Sequence, residues 1–196
     1  GKFLVSTGAS SASACEDCGS GTYSTVVGAS TAETCQDCVA GKYLTGTGSA
    51  ASSDCVDCEA GKYSTVPGAT ASATCQDCAA GKYLATTGND AESDCVLCGP
   101  GTFSPAVRAT ASDTCQNCVA GKYLETAGND EERDCVECGQ GKFSTAVGAV
   151  NAATCVNCAA GKYLATAGND AASDCVPCVA GTFSTAEGAT EPDICQ

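Results

Sequence analysis

A Cys-x-x-Cys pair returns every 20 residues without a single insertion, from Cys15 and Cys18 to Cys175 and Cys178, and Cys195 takes the next place in the series. A short, strict period marks a stacked repeat whose members bury apolar surface only against their neighbours. Other residues keep the same beat. Gly opens each repeat, and an aromatic follows two residues later, as in Phe3, Tyr23, Tyr43 and Phe183, which uses all ten aromatic residues of the chain. The next residue alternates between Leu (Leu4, Leu44, Leu84, Leu124, Leu164) and Ser (Ser24, Ser64, Ser104, Ser144, Ser184). The residue before the pair follows, with Asp54, Asp94, Asp134 and Asp174 set against Thr34, Thr74, Thr114 and Thr154. The true period is therefore 40 residues in two unlike halves, which predicts neighbouring repeats related by something near a half-turn and leucines lining one side of a rod.

Composition excludes a conventional core. Ala and Cys inflate the hydrophobic fraction, Met and Trp are absent, and there are six Leu and one Ile in 196 residues. Nineteen cysteines reach the level of a disulfide scaffold, which persists outside the reducing cytosol and predicts an extracellular or cell-surface setting. The net charge of -14 speaks against nucleic acid, whose phosphates need a basic surface. No apolar run is long enough to span a bilayer, so no membrane span is expected in this segment. The sequence opens at the Gly of one repeat and closes inside another, the pattern expected of a segment from a longer array.

The stretch Gly81–Cys98 shows what one repeat should be. Residues 82–86 suit a strand, Gly88-Asn89-Asp90 a turn, and residues 93–96 an antiparallel return. Such a hairpin is marginal alone and needs stacking or staples. The fold class expected is therefore small and disulfide-rich: short β-hairpins and turns in tandem 20-residue repeats, stacked into an elongated rod that runs as one array over residues 1–196. The Gly at position 8 of each repeat should hold a backbone geometry that a side chain would strain, and Arg108, with Pro105 beside it, should alter its turn locally.

Three arrangements of the cysteines compete. One joins the second cysteine of each pair to the first of the next, giving Cys18–Cys35, Cys38–Cys55, Cys58–Cys75, Cys78–Cys95, Cys98–Cys115, Cys118–Cys135, Cys138–Cys155, Cys158–Cys175 and Cys178–Cys195, with the partner of Cys15 upstream of Gly1. Another crosses pairs within 40 residues, such as Cys15 to Cys35 and Cys18 to Cys38. The third is zinc, since two such pairs sixteen residues apart match a four-cysteine site. Against zinc stand the nine pairs that cannot be matched two by two, the absence of His, and the acidic residues beside the cysteines, which oppose thiolate formation. Spacing alone does not fix the connectivity.

The phrase Cys-x-x-Gly-(Thr/Lys)-(Tyr/Phe)-Ser-Thr, with Gly five residues after the aromatic and then Thr-Cys-x-x-Cys, recurs with small variations at Cys18, Cys58, Cys98, Cys138 and Cys178. It resembles the ephrin-receptor-like cysteine-rich repeats, relatives of tumour-necrosis-factor-receptor and EGF-type modules, and the resemblance covers the whole chain. It implies an extracellular, disulfide-laddered rod without catalytic activity, of the kind found in surface and fibrous proteins of protists, and supports the bond from second cysteine to next first. The Pro common before the Gly in that family appears only as Pro100, and the unbroken period is more regular than receptor ectodomains show, which shifts the expectation from receptor toward fibre.

Few residues invite chemistry. With no His and no unrepeated motif, neither an enzyme nor a cofactor is expected. Asp90, Asp94, Asp130, Asp134, Asp170 and Asp174 are weak calcium candidates, against the plainer reading of solvated turns on an acidic face. Ser24, Thr25, Ser64, Thr65, Ser144 and Thr145 are candidates for O-linked sugars, and no sequon for N-glycosylation occurs. The aromatics should pack over neighbouring disulfides as a miniature core, and the leucines should either form an exposed stripe that invites self-association or plug the contact between stacked repeats. The function expected is a structural component of an extracellular fibre, stalk or surface appendage, associating with itself or other fibre subunits; the alternative is the ligand-binding or adhesive ectodomain of a receptor-like surface protein.

Overall fold

The structure, a computed structural model, describes residues 1–196. It contains nine two-stranded antiparallel hairpins, ten short 3-10 turns and no longer element. No helix is long and apolar enough to cross a membrane. The chain divides into two compact units. The first comprises Gly1–Ala79, Tyr83–Val96 and Val107–Ala111, and the second Ala80–Lys82, Leu97–Ala106 and Ser112–Gln196. The same motif builds each.

In the first unit, Lys62–Tyr63 pairs with Gln76–Asp77, Lys62 facing Asp77 and Tyr63 facing Gln76. A 3-10 turn, Ser72–Thr74, precedes the returning strand, and the Cys78 N–H donates to the Gly61 carbonyl at 2.9 Å. The second unit repeats this with Lys122–Tyr123 against Val136–Glu137, a turn at Glu132–Asp134, and the Cys138 N–H on the Gly121 carbonyl at 2.8 Å. Strands are only two residues long. In the repeat read above, Lys82–Tyr83 and Val96–Leu97 replace the longer strands predicted over 82–86 and 93–96. The reason is that the chain leaves its own hairpin after the aromatic and bonds to the following repeat. The Leu84 N–H donates to the Ala109 carbonyl at 2.9 Å in the first unit, and the Leu124 N–H to the Ala149 carbonyl at 2.9 Å in the second.

Stacking reaches further than the adjacent repeat. The Gly21 N–H donates to the Leu44 carbonyl, and the Gly48 N–H reaches back to the Cys18 carbonyl, both at 2.8 Å. Residues about one and about one and a half repeats apart are thus direct neighbours. Gly41 lies so close to the turn two repeats on that a Cβ would sit 2.3 Å from the Gly88 carbonyl oxygen, and its φ is +81°. Only glycine satisfies both conditions.

Small apolar clusters recur along the chain; one without leucine gathers Phe3, Cys18, Ala29 and Cys35, and four others are built around a leucine. In the first unit these are Tyr23 with Cys38, Leu44 and Cys55, and Tyr63 with Cys78, Leu84 and Cys95. In the second they are Phe103 with Cys118, Leu124 and Cys135, and Phe143 with Cys158, Leu164 and Cys175. Leu44, Leu84, Leu124 and Leu164 are 3–6% exposed, so the leucines make no surface stripe. In the other half-period Ser24, Ser64, Ser104 and Ser144 take the same buried place. Their hydroxyls accept from the backbone N–H two residues on, as Ser64 does from Val66 at 3.4 Å, so that no buried side-chain polar atom lacks a partner. Leucine and serine thus take the same buried place in alternate repeats.

Arg108 does not alter its turn. It adopts φ +60°, just below the 65–78° of the glycines in that series, and its N–H donates to the Cys78 carbonyl at 2.9 Å as Gly88 does to Cys58. The stacked backbone sets the turn, and Pro105, three residues earlier, leaves it unchanged.

Replacing Gly41 with Ala is expected to destabilise the fold by several kcal/mol, since the steric overlap adds to about 1 kcal/mol of left-handed backbone strain. Gly46→Ala, where a Cβ meets nothing within 4 Å, should be neutral or stabilising by up to about 1 kcal/mol. Thermal melting of the oxidised variants measures both.

Candidate functional site

The most repeated chemical feature is the disulfide. Nine bonds join the second cysteine of each pair to the first of the next, from Cys18–Cys35 through Cys58–Cys75 and Cys98–Cys115 to Cys178–Cys195, each over 17 residues of sequence. Their Cα–Cα distances of 5.5–5.8 Å lie in the ordinary range. Each bond stands at the base of a hairpin, where the second cysteine is buried and its N–H is held by the Gly that opens the repeat. Closing a loop of this size stabilises by roughly 3 kcal/mol in the chain-entropy estimate. Cys15 is a free, half-buried thiol.

The residues before the cysteines explain their alternation. Asp94 accepts from the Ala91 N–H at 3.1 Å, Asp134 from Glu131 at 3.1 Å and Asp174 from Ala171 at 3.0 Å, each capping a 3-10 turn. Asp54 accepts from both Ala50 and Ala51 at 3.1 Å. In the other half-period the hydroxyls of Thr34, Thr74 and Thr154 donate to the carbonyl three residues earlier at 2.8–2.9 Å. Carboxylate and hydroxyl thus tie the same turn in opposite senses. Asp94, Asp134 and Asp174 cap turns, and no three acidic or cysteine side chains converge, Asp90, Asp130 and Asp170 included. The Asn of the preceding turn is tied locally as well, with Asn89 Nδ2 on the Thr86 carbonyl at 2.6 Å.

The O-glycosylation candidates separate by burial. Ser24, Ser64 and Ser144 are at most 2% exposed, which places them out of reach of a sugar in this fold. Thr25, Thr65 and Thr145 are exposed.

Cross-strand ion pairs decorate the hairpins: Lys2–Asp17, Lys42–Asp57 and Lys62–Asp77 at 2.6 Å, and Lys122–Glu137 at 3.7 Å. The Asp17 hydrogen bond, aided by its charge, raises Lys2 above the usual lysine pKa. Exposed pairs of this sort are screened by solvent and add little to stability.

One surface site departs from the pattern. The Arg108 guanidinium forms an ion pair with Glu59, 49 residues earlier in the first unit. Together with Tyr43, Lys62, Ser72 and Cys75 they line a cleft of about 320 Å³. The sequence flags Arg108, yet Glu59 escapes notice because its partner lies more than two repeats away. A column-by-column reading finds it: Glu59 is the one charged residue among those following the second cysteine of each pair, Gly19, Val39, Ala79, Gly99, Val119, Gly139, Ala159 and Val179 being the rest.

No protein-family model matches the chain, and no curated protein matches it significantly. The tandem hairpins and the nine regularly spaced disulfides are nonetheless consistent with cysteine-rich repeats, and the architecture fits an extracellular structural or receptor-like protein.

Replacing Asp94 with Ala should lower stability by about 1 kcal/mol, the usual worth of a cap. Melting temperatures of parent and variant should be the same in EDTA and in calcium.

Proposed function

We propose that the chain is a non-catalytic, load-bearing segment of an extracellular fibre, stalk or surface appendage, working through self-association or attachment to other fibre subunits. The observation that carries this reading is the order of the disulfides. They close consecutive loops without overlap, so a pull along the chain passes through each disulfide and the two-residue returning strand that leads to the next, while the first strand and the 3-10 turn of each hairpin lie in the closed loop and bear no load. The covalent path is then roughly 16 Å per repeat, one Cα–Cα step of under 6 Å plus three extended residues, against about 70 Å for the reduced 20-residue segment. Even with all hydrogen bonds lost, such a chain extends to less than a quarter of its reduced length. The exposed Thr25, Thr65 and Thr145 belong to this reading as places for O-linked sugars on a secreted fibre, outside the reducing cytosol.

A receptor-like or adhesive ectodomain is the second reading. One observation favours it, the single atypical cleft at Arg108 in an otherwise uniform array.

Single-molecule extension distinguishes a load-bearing role. Between Cys18 and Cys195 the oxidised chain should stop at roughly 150 Å, and reduction should release it to roughly 600 Å. An oxidised chain that extends as far as the reduced one removes the mechanical reading.

A further inference from the structure

We propose that the cleft beside Arg108 is a binding site for a neutral saccharide unit. The proposal is independent of the mechanical reading and rests on the cleft alone. Two columns of the repeat are broken once each, by Arg108 among the position-8 glycines and by Glu59 among small and apolar residues. The two exceptions meet each other across the stacked repeats. Arg108 also holds its left-handed backbone where glycine would carry no strain, a pattern that marks functional positions.

The chemistry of the lining selects the ligand. Lys62 is paired with Asp77 and Arg108 with Glu59, so neither cation is left to draw an anion. What the paired charges still offer is a fixed set of hydrogen-bonding groups. The guanidinium has further N–H donors, the Glu59 carboxylate has spare lone pairs, and the Ser72 and Tyr43 hydroxyls both donate and accept. The Tyr43 ring adds an apolar wall. An apolar wall with a few oriented donors and acceptors and no net charge suits a polyhydroxylated ring. The groove one repeat earlier serves as the internal comparison. It has about 360 Å³ and is lined by Tyr23, Lys42, Ser52 and Ser53, but Val39 stands where Glu59 does, and no arginine is present. Shape is common to the fold; the polar clamp belongs to this repeat.

The test is an amide chemical-shift titration of the oxidised chain with methyl β-D-glucopyranoside, methyl β-D-galactopyranoside, methyl α-D-mannopyranoside and N-acetylglucosamine, with acetate as the anionic comparison. The expected result is a saturable shift at Tyr43, Glu59, Lys62 and Arg108 with at least one sugar. Arg108→Gly, which installs the residue of nine other repeats and so keeps the turn, should weaken it by roughly tenfold or more, as should Glu59→Val. Unshifted amides with all four sugars, equal binding by Arg108→Gly, matching shifts in the Tyr23 groove, or an equal response to acetate would each overturn the proposal.

Discussion

Every level of this structure depends on the covalent bond between one hairpin's base and the next. The strands are two residues long, and the largest apolar clusters hold one aromatic, one leucine and one cystine. A hairpin of that size loses more chain entropy on folding than its burial returns. Joining Cys58 to Cys75 before folding begins removes much of that entropy from the unfolded chain, and the hydrogen bonds between repeats then suffice to order the rest. The cystines also supply core volume, since the second cysteine of each internal pair is at most 1% exposed. Staple and core are the same atoms.

The two unlike halves of the period follow from the same economy of apolar material. Stacking brings the opening glycine of one repeat against the position-8 turn two repeats on, as Gly41 lies against Gly88. One half-period holds Leu84 against the Cys78–Cys95 bond, with Asp94 capping the turn; the other holds Ser64, with the Thr74 hydroxyl donating to the Ala71 carbonyl. Alternation lets a chain with six leucines supply one to each of four clusters.

Much of this was legible in the sequence. The 20-residue beat gives hairpins at the right places, the aromatic column gives the cluster residues, and the alternation of Leu and Ser gives a two-sided coil. Strand lengths were not legible, because Leu84 has strand character and its bonding to Ala109 instead of its own hairpin is a tertiary choice. The role of Asp94 was not legible for a related reason: its bond to the Ala91 N–H forms only once the 3-10 turn is in place. Arg108, by contrast, misled. Breaking a glycine column predicts a changed turn, yet the stacked backbone holds the arginine in the glycine's conformation and leaves its side chain free to reach Glu59.

The central claim is that sulfur cross-links stand in for a hydrophobic core, and amide hydrogen exchange of the fully reduced, thiol-blocked chain without denaturant tests it most directly. The oxidised chain should protect the Cys38, Cys58, Cys118 and Cys158 amides, which are bonded to the opening glycines and lie in fully buried residues. The account predicts that this protection disappears in every repeat once the bonds are cut. Persistence of the same protected amides in the reduced chain would contradict it.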